Sequence, residues 1–180
     1  PAPDTTPPTV PTNLQANVSN SDSSFGSPTA FAAGANPHGL FSADLDADGN
    51  LDLVSTDAES DAISVLFGDG TGAFGSRQAI PVGDAPKAAA VGDFDDDGIL
   101  DIAVADQDSG TVSIILGLGA RAFSAATPFA VCARAHDIVV YDLDVDGDLD
   151  VAVSCHGGTD VSVLPGNNDG TFAASILLNG

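Results

Sequence analysis

The chain has 180 residues, is 43% hydrophobic, and carries 26 acidic residues against four basic ones (Arg77, Lys87, Arg121, Arg134), for a net charge of -22. That is enough apolar content for the core of one ordinary domain, while the charge argues against binding nucleic acid or anionic membranes and favours cations. Of the 26 acids, 25 are aspartate and only Glu59 is glutamate, a bias toward turns and metal ligands that speaks against a helical protein.

The first segment, residues 1–12, reads PAPDTTPPTVPT. Five prolines in twelve residues predict an extended, polyproline-like arm of the kind found in interdomain stalks, with threonines that suit O-linked sugar. Residues 13–34 read as a partial blade. Asn13 to Asn20 (NLQANVSN) resembles a third strand and Phe25 to Gly34 (FGSPTAFAAG) a fourth, outer strand without inner partners. Asn17-Val18-Ser19 fits an N-glycosylation sequon. No apolar run approaches the roughly 20 residues that span a bilayer. No signal peptide is visible, and a processed chain would have lost one.

From there the sequence repeats. Acidic loops begin at Asp44, Asp93 and Asp142, 49 residues apart both times. Phe25, Phe74, Phe123 and Phe172 keep that period, as do Gly68, Gly117 and Gly166. Such a period denotes a solenoid, propeller or array. The units are residues 35–83, 84–132 and 133–180. Within the first, HGLFSADL, LDLVSTD, AISVLFG and SRQAIPVG read as four strands, with apolar residues that are β-branched or alternate with small polar ones. GDGTGAF, GLGARAF and GNNDGTF are Gly-rich connections between third and fourth strands. The predicted fold is all-β: three four-stranded antiparallel repeats of β-propeller type, plus an extra N-terminal strand or hairpin.

Each loop follows D-x-D-x-D-G-x-x-D. Two like charges about 5 Å apart cost ~3 kcal/mol at an effective dielectric near 20, so this crowding calls for a cation. Calcium takes six to eight hard oxygens. Loop one offers Asp44, Asp46, Asp48 and Asp52 with the Asn50 carbonyl. Loop two offers Asp93, Asp95, Asp97 and Asp101 with the Ile99 carbonyl, and loop three Asp142, Asp144, Asp146 and Asp150 with the Asp148 carbonyl. Gly49, Gly98 and Gly147 stand where the sharp turn needs a permissive backbone. Three copies in one register predict three calcium sites rather than solvated acidic turns. An EF-hand is disfavoured, because position twelve holds Ser55, Val104 and Val153 instead of glutamate and the flanks read as strands. Magnesium rarely uses an all-protein cage.

These loops, with LFGDGTGAF and LPGNNDGTF, resemble the FG-GAP/VCBS repeat family, known from the propeller of integrin α subunits and from secreted bacterial proteins. The resemblance covers roughly Phe25 to Gly180. It implies calcium-bearing hairpin loops, an extracellular setting, and roles in adhesion, recognition or scaffolding. Family propellers usually close with about seven blades and this chain has about three. The rest would come from a longer chain or from further copies.

Cys132 precedes the first strand of the third repeat and Cys155 ends the second. Those strands run antiparallel, so the two are expected to meet as a disulfide; a Cys2His2 metal site with His136 and His156 is the alternative. His38, Lys87 and His136 share one register at the start of the innermost strands, a place expected to face a channel or rim, where they read as solvated polar caps, with a ligand contact as the alternative. There is no nucleophile motif, zinc-protease pattern or phosphate loop, so a non-enzyme is expected. The expected function is a calcium-binding, secreted or cell-surface structural or adhesion module, assembling head to tail into a ring or filament through residues 1–34. The alternatives are a propeller-type glycan-binding lectin, disfavoured by the absence of Trp and a single Tyr (Tyr141), and an accessory fragment of a larger secreted protein.

Overall fold

The computed structural model describes residues 29–158 and 160–179. Among these residues there is no helix, and the strands form three sheets. The first holds β1 (Pro37–Ala43), β2 (Asp52–Asp57), β3 (Ala62–Leu66) and β4 (Gln78–Pro81). The second holds β5 (Pro86–Gly92), β6 (Asp101–Asp106), β7 (Thr111–Ile115) and β8 (Thr127–Ala130). The third holds β9 (Ala135–Tyr141), β10 (Asp150–Cys155), β11 (Asp160–Leu164) and β12 (Ile176–Asn179). Every sheet is antiparallel and ordered as the chain runs, so each is a meander in which every strand pairs with its neighbour in sequence. Of the additional N-terminal strand, residues 29–34 carry no strand pairing, and residues 25–28 lie outside the described residues, as do the Pro-rich arm and the sequon.

The sheets stack face to face. Val54, Ile63 and Val65 of the first sheet pack with Ile102, Val104 and Ile115 of the second. Ala103, Val112 and Ile114 on the other face of the second sheet pack with Ile138, Val151 and Val153 of the third. Covered on both faces, β6 shows no polar alternation: all six of its residues are buried. The first strands of successive sheets lie side by side, β1 against β5 and β5 against β9. They converge enough for His38 on β1 and His136 on β9 to approach within 6.0 Å, ring to ring, across the sheet between them. Thr56 Oγ1 links the first two sheets, accepting from the Gly39 amide at 2.7 Å and donating to the Lys87 carbonyl at 3.1 Å.

One corner of each blade is held by a different chemistry at the same register. In the first sheet Asp57 is fully buried and accepts from the Ser55 and Ser64 hydroxyls, with Arg77 3.6 Å away. A Cβ on Gly34 would lie 2.4 Å from its Oδ2, so the close approach of that backbone requires glycine. In the second sheet the pair is Gly83 and Asp106. In the third it is Cys132 and Cys155, joined as a disulfide with Cα atoms 5.8 Å apart. This disulfide leaves no room for a Cys2His2 site, and His136 and His156 stack on one another at 5.0 Å instead. The exchange has a local cost: Ser162, in the register of Ser64 and Ser113, has lost the carboxylate that its counterparts donate to. Its buried hydroxyl makes no hydrogen bond among the described residues.

Asp106 is the exposed flank of this scheme in energetic terms. It is fully buried and accepts from Ser113 and Thr111, but Val104 and Ala126 stand where the first sheet has Ser55 and Arg77. Burial pushes its carboxyl up to about 6, against the lowering effect of the Ser113 and Thr111 hydroxyls and the Gly83 amide. A carboxyl raised from 3.8 binds its proton more tightly folded than unfolded. Its contribution to stability is therefore intact below about pH 4 and is lost as pH rises toward 6 and beyond. Asp106→Asn is accordingly expected to stabilise the fold by about 2 kcal/mol at pH 7 and by close to nothing at pH 3.5. Urea unfolding at both values checks this, and equal effects at both would contradict it. For the disulfide, whose cysteines are 23 residues apart, peptide mapping without reductant is expected to recover the Cys132–Cys155 pair, and reduction is expected to cost about 3 kcal/mol.

Candidate metal centres

The three acidic loops connect the first and second strands of each sheet, β1 to β2, β5 to β6 and β9 to β10. Each is wound by the same internal hydrogen bonds. In loop one the amides of Asp48 and Gly49 donate to the two oxygens of Asp44 at 3.1 and 2.9 Å, and the Asn50 amide donates to Asp48 at 2.8 Å. Loop two repeats this with Asp97, Gly98 and Ile99, and loop three with Asp146, Gly147 and Asp148. The glycine at position six adopts φ of 88°, 83° and 103°, and position four is also left-handed, at Ala47, Asp96 and Val145. Left-handed backbone at Val145, a β-branched residue with φ 66°, is strained, and that strain at position four is not visible in the sequence pattern.

This winding turns carboxylates inward. Oxygens of Asp44, Asp46 and Asp48 lie within 4.8 Å of one another, as do those of Asp93, Asp95 and Asp101, and of Asp142, Asp144 and Asp146. These three clusters could hold a metal ion. Asp95 Oδ1 is buried and has no hydrogen-bond partner among the described residues, which fits a ligand atom awaiting a cation. Burial, then the charges of Asp97 and Asp93, push the Asp95 carboxyl up; burial and Asp146 do the same to Asp144. An all-oxygen, multiply anionic donor set suits a hard divalent cation.

The aspartate at position nine is positioned differently. Asp52, Asp101 and Asp150 are the first residues of β2, β6 and β10 and are almost completely buried. Asp52 accepts from the Leu45 amide with one oxygen and from the Gly68 amide with the other, both at 2.9 Å. Asp101 holds Phe94 and Gly117 in the same way, and Asp150 holds Leu143 and Gly166. Each carboxylate thus clamps its own loop to the turn after the third strand. Each oxygen keeps a second lone pair, but only Asp101 joins a metal-sized cluster. Burial is the main reason that its carboxyl is pushed up to about 6, against the lowering effect of those two amides. The Asp97 carboxylate also stands outside the second cluster.

Sequence reasoning missed Arg121. It sits on the connection between β7 and β8 and reaches back to the first acidic loop. Its Nε donates to Asp46 Oδ2 at 2.5 Å and its Nη2 to Asp48 Oδ2 at 3.3 Å, with the guanidinium 4.7 Å over the Phe67 ring. The other two connections carry Gly72 and Gly170 at this register, so the departure of one residue from the repeat was the available signal. His38, Lys87 and His136 meet around one cavity at the convergence of the first strands.

A stack of four-stranded meanders with a wound acidic loop on each blade defines a β-propeller-type repeat module. The FG-GAP-like repeat matches residues 44–104 and 93–153, more than half of the chain, and the chain belongs to that family. Among solved structures, it is similar to an Agrocybe aegerita lectin that recognises non-reducing terminal N-acetylglucosamine, with 24% identity and a TM-score of 0.54. That match covers 76% of this chain and 37% of the lectin, so the chain spans little more than a third of its length, and the likeness is one of fold. A second similarity is to the Tc holotoxin pore of Photorhabdus luminescens, with 17% identity, a TM-score of 0.47, and coverage of 78% of this chain and 7% of that one. No curated protein matches.

Arg121 places a positive charge on two of the three aspartates, Asp46 and Asp48, that could hold a metal in loop one. Arg121→Ala is expected to raise the divalent-cation affinity of that loop by about threefold to tenfold, because a competing cation has been removed. Calorimetric titration of the variant checks this, and unchanged or weaker binding would contradict it.

Proposed function

We propose that this chain is a non-enzymatic, calcium-stabilised module that works outside the cell as a structural or adhesive element. The observation that carries the calcium reading is the threefold recurrence of inward-turned carboxylates, with the orphaned Asp95 Oδ1 on a member of the second set. Calcium bound there would neutralise the crowded carboxylates and tie the two strands at each loop. Asp44, Asp46 and Asp48, their counterparts in loop three, and Asp93, Asp95 and Asp101 would hold it. The chain's own contribution is a cage wound in advance by backbone amides. The disulfide favours an oxidising compartment, and no helix among the described residues is long and apolar enough to cross a membrane.

The assembly part of the proposal rests on two open faces. Leu40 is 70% exposed, although Ala89 and Ile138 at the same register pack against the preceding sheet. On the opposite side Val139, Val161 and Leu178 are 58%, 39% and 55% exposed, on the face by which the second sheet, through Val112, packs on the third. Both faces fit a further blade, supplied by another copy of this chain or by another stretch of polypeptide. The expected contact through residues 1–34 falls mainly on residues outside those described.

If each loop binds calcium at about 10 µM and free calcium is about 1 mM, linkage gives ~2.7 kcal/mol per site and roughly 8 kcal/mol for three. That is comparable with the whole stability of a domain, about 5–15 kcal/mol. Excess chelator is expected to lower the melting temperature by tens of degrees, and an unchanged melt would sink the calcium reading. Asp95→Ala is expected to leave two of three sites in a calorimetric titration. Sedimentation in calcium tests assembly separately: a monomer at high concentration would leave only further blades of a longer chain to cover the two faces.

A further inference from the structure

A cavity of about 620 Å³ lies between the first and second sheets, within the roughly 300–1,000 Å³ typical of small-ligand sites. Ile80, Gly83, Thr111, Ser113, Phe123 and Ala126 are among the residues that line it. Three of them, Gly83, Thr111 and Ser113, surround the carboxylate of Asp106. Asp106 is completely buried, and its Oδ1 has no hydrogen bond of good geometry among the described residues.

The first sheet shows what this arrangement is built to receive. There the guanidinium of Arg77 donates from Nε to Ser64 Oγ at 2.5 Å, Ser64 donates to Asp57, and Nη2 stands 3.6 Å from that carboxylate. Forty-nine residues on, Ser113 and Asp106 repeat the serine and the carboxylate, with the same hydrogen bond between them at 2.7 Å. The arginine has become Ala126, and in its place is a cavity. We propose that this cavity receives the guanidinium of an arginine side chain presented by a partner protein, which donates to Ser113 and neutralises Asp106 as Arg77 does for Ser64 and Asp57.

The chain itself has no cation to spare for the position. Arg77 is held in the first sheet, Arg121 on Asp46 and Asp48, Lys87 at the convergence of the first strands, and Arg134 beside Gly157 in the third sheet. Residues 1–28 contain neither lysine nor arginine. A net charge of -22 draws cationic partners toward the surface, and Phe123 puts an aromatic ring in the cavity wall. Burial makes the ionised form of this carboxylate costly, and at neutral pH, above its raised value of about 6, a bound cation would relieve that cost.

The test is calorimetric titration of the full chain, in saturating calcium so that the acidic loops are filled, with N-acetyl-arginine amide and its neutral isostere N-acetyl-citrulline amide. One-site binding of the arginine derivative alone is expected, weakening as pH falls below about 6. Ala126→Arg supplies the guanidinium in cis and is expected to lower the affinity by at least about tenfold while raising the melting temperature. Asp106→Asn is expected to lower the affinity similarly. Undiminished binding to Ala126→Arg, equal binding of the citrulline derivative, or no binding at all would overturn the proposal. Tighter binding of the tripeptide Gly-Arg-Gly than of agmatine supports a protein side chain as the source; the reverse overturns that assignment. None of these outcomes depends on how many calcium ions the loops bind.

Discussion

The structure hangs on a buried carboxylate at the first residue of each second strand. Asp52, Asp101 and Asp150 each hold two amides that belong to different turns, one in the acidic loop and one after the third strand. Hydrogen bonds to a charged acceptor are about twice as strong as neutral ones, and leaving such a group unpaired in the interior costs several kcal/mol. The acidic loop is therefore wound by its own amides at one end and clamped to the sheet at the other. Its remaining carboxylates are thereby held within a few ångströms of one another.

That clamp explains why repulsion is tolerated and why it is useful. Asp44, Asp93 and Asp142 each take two amides within the loop, which fixes the first ligand and leaves the later aspartates turned toward the same space. The consequence is a site organised before binding, in which a cation gains attraction to several charges at once and little conformational entropy remains to be lost. In loop one Arg121 shows the demand for positive charge directly, since it crosses from the next blade to reach two of these oxygens.

The repeat is not a copy. At the corner that joins the end of the second strand to the preceding segment, the three sheets use a glycine with an arginine-paired aspartate, a glycine with an aspartate lacking any cation, and a disulfide. The stacking of the sheets needs only that the two backbones approach there, so the means is free to vary. Variation leaves marks in the polar groups around it: a Ser162 hydroxyl with no partner among the described residues where the carboxylate is gone, and a buried Asp106 beside an open cavity where the arginine is gone.

The 49-residue period, the alternation of small polar and branched residues, and the glycines after each third strand determined that the chain would form three antiparallel meanders. These are local signals, carried by residues that are neighbours in sequence or in the adjoining strand. The carboxylate clusters were legible for the same reason, because a ligand set wound from nine consecutive residues is encoded by spacing. The division of labour inside the motif was not. Nothing in D-x-D-x-D-G-x-x-D says that its last aspartate clamps Gly68, Gly117 or Gly166, each 16 residues further on. Nor could the pattern place Arg121 on a loop more than seventy residues earlier, or show that Ala126 opens a cavity beside Asp106. Those depend on which side chains meet when one sheet is laid on another. Packing brings residues together by distance in space, and a linear pattern records only distance along the chain.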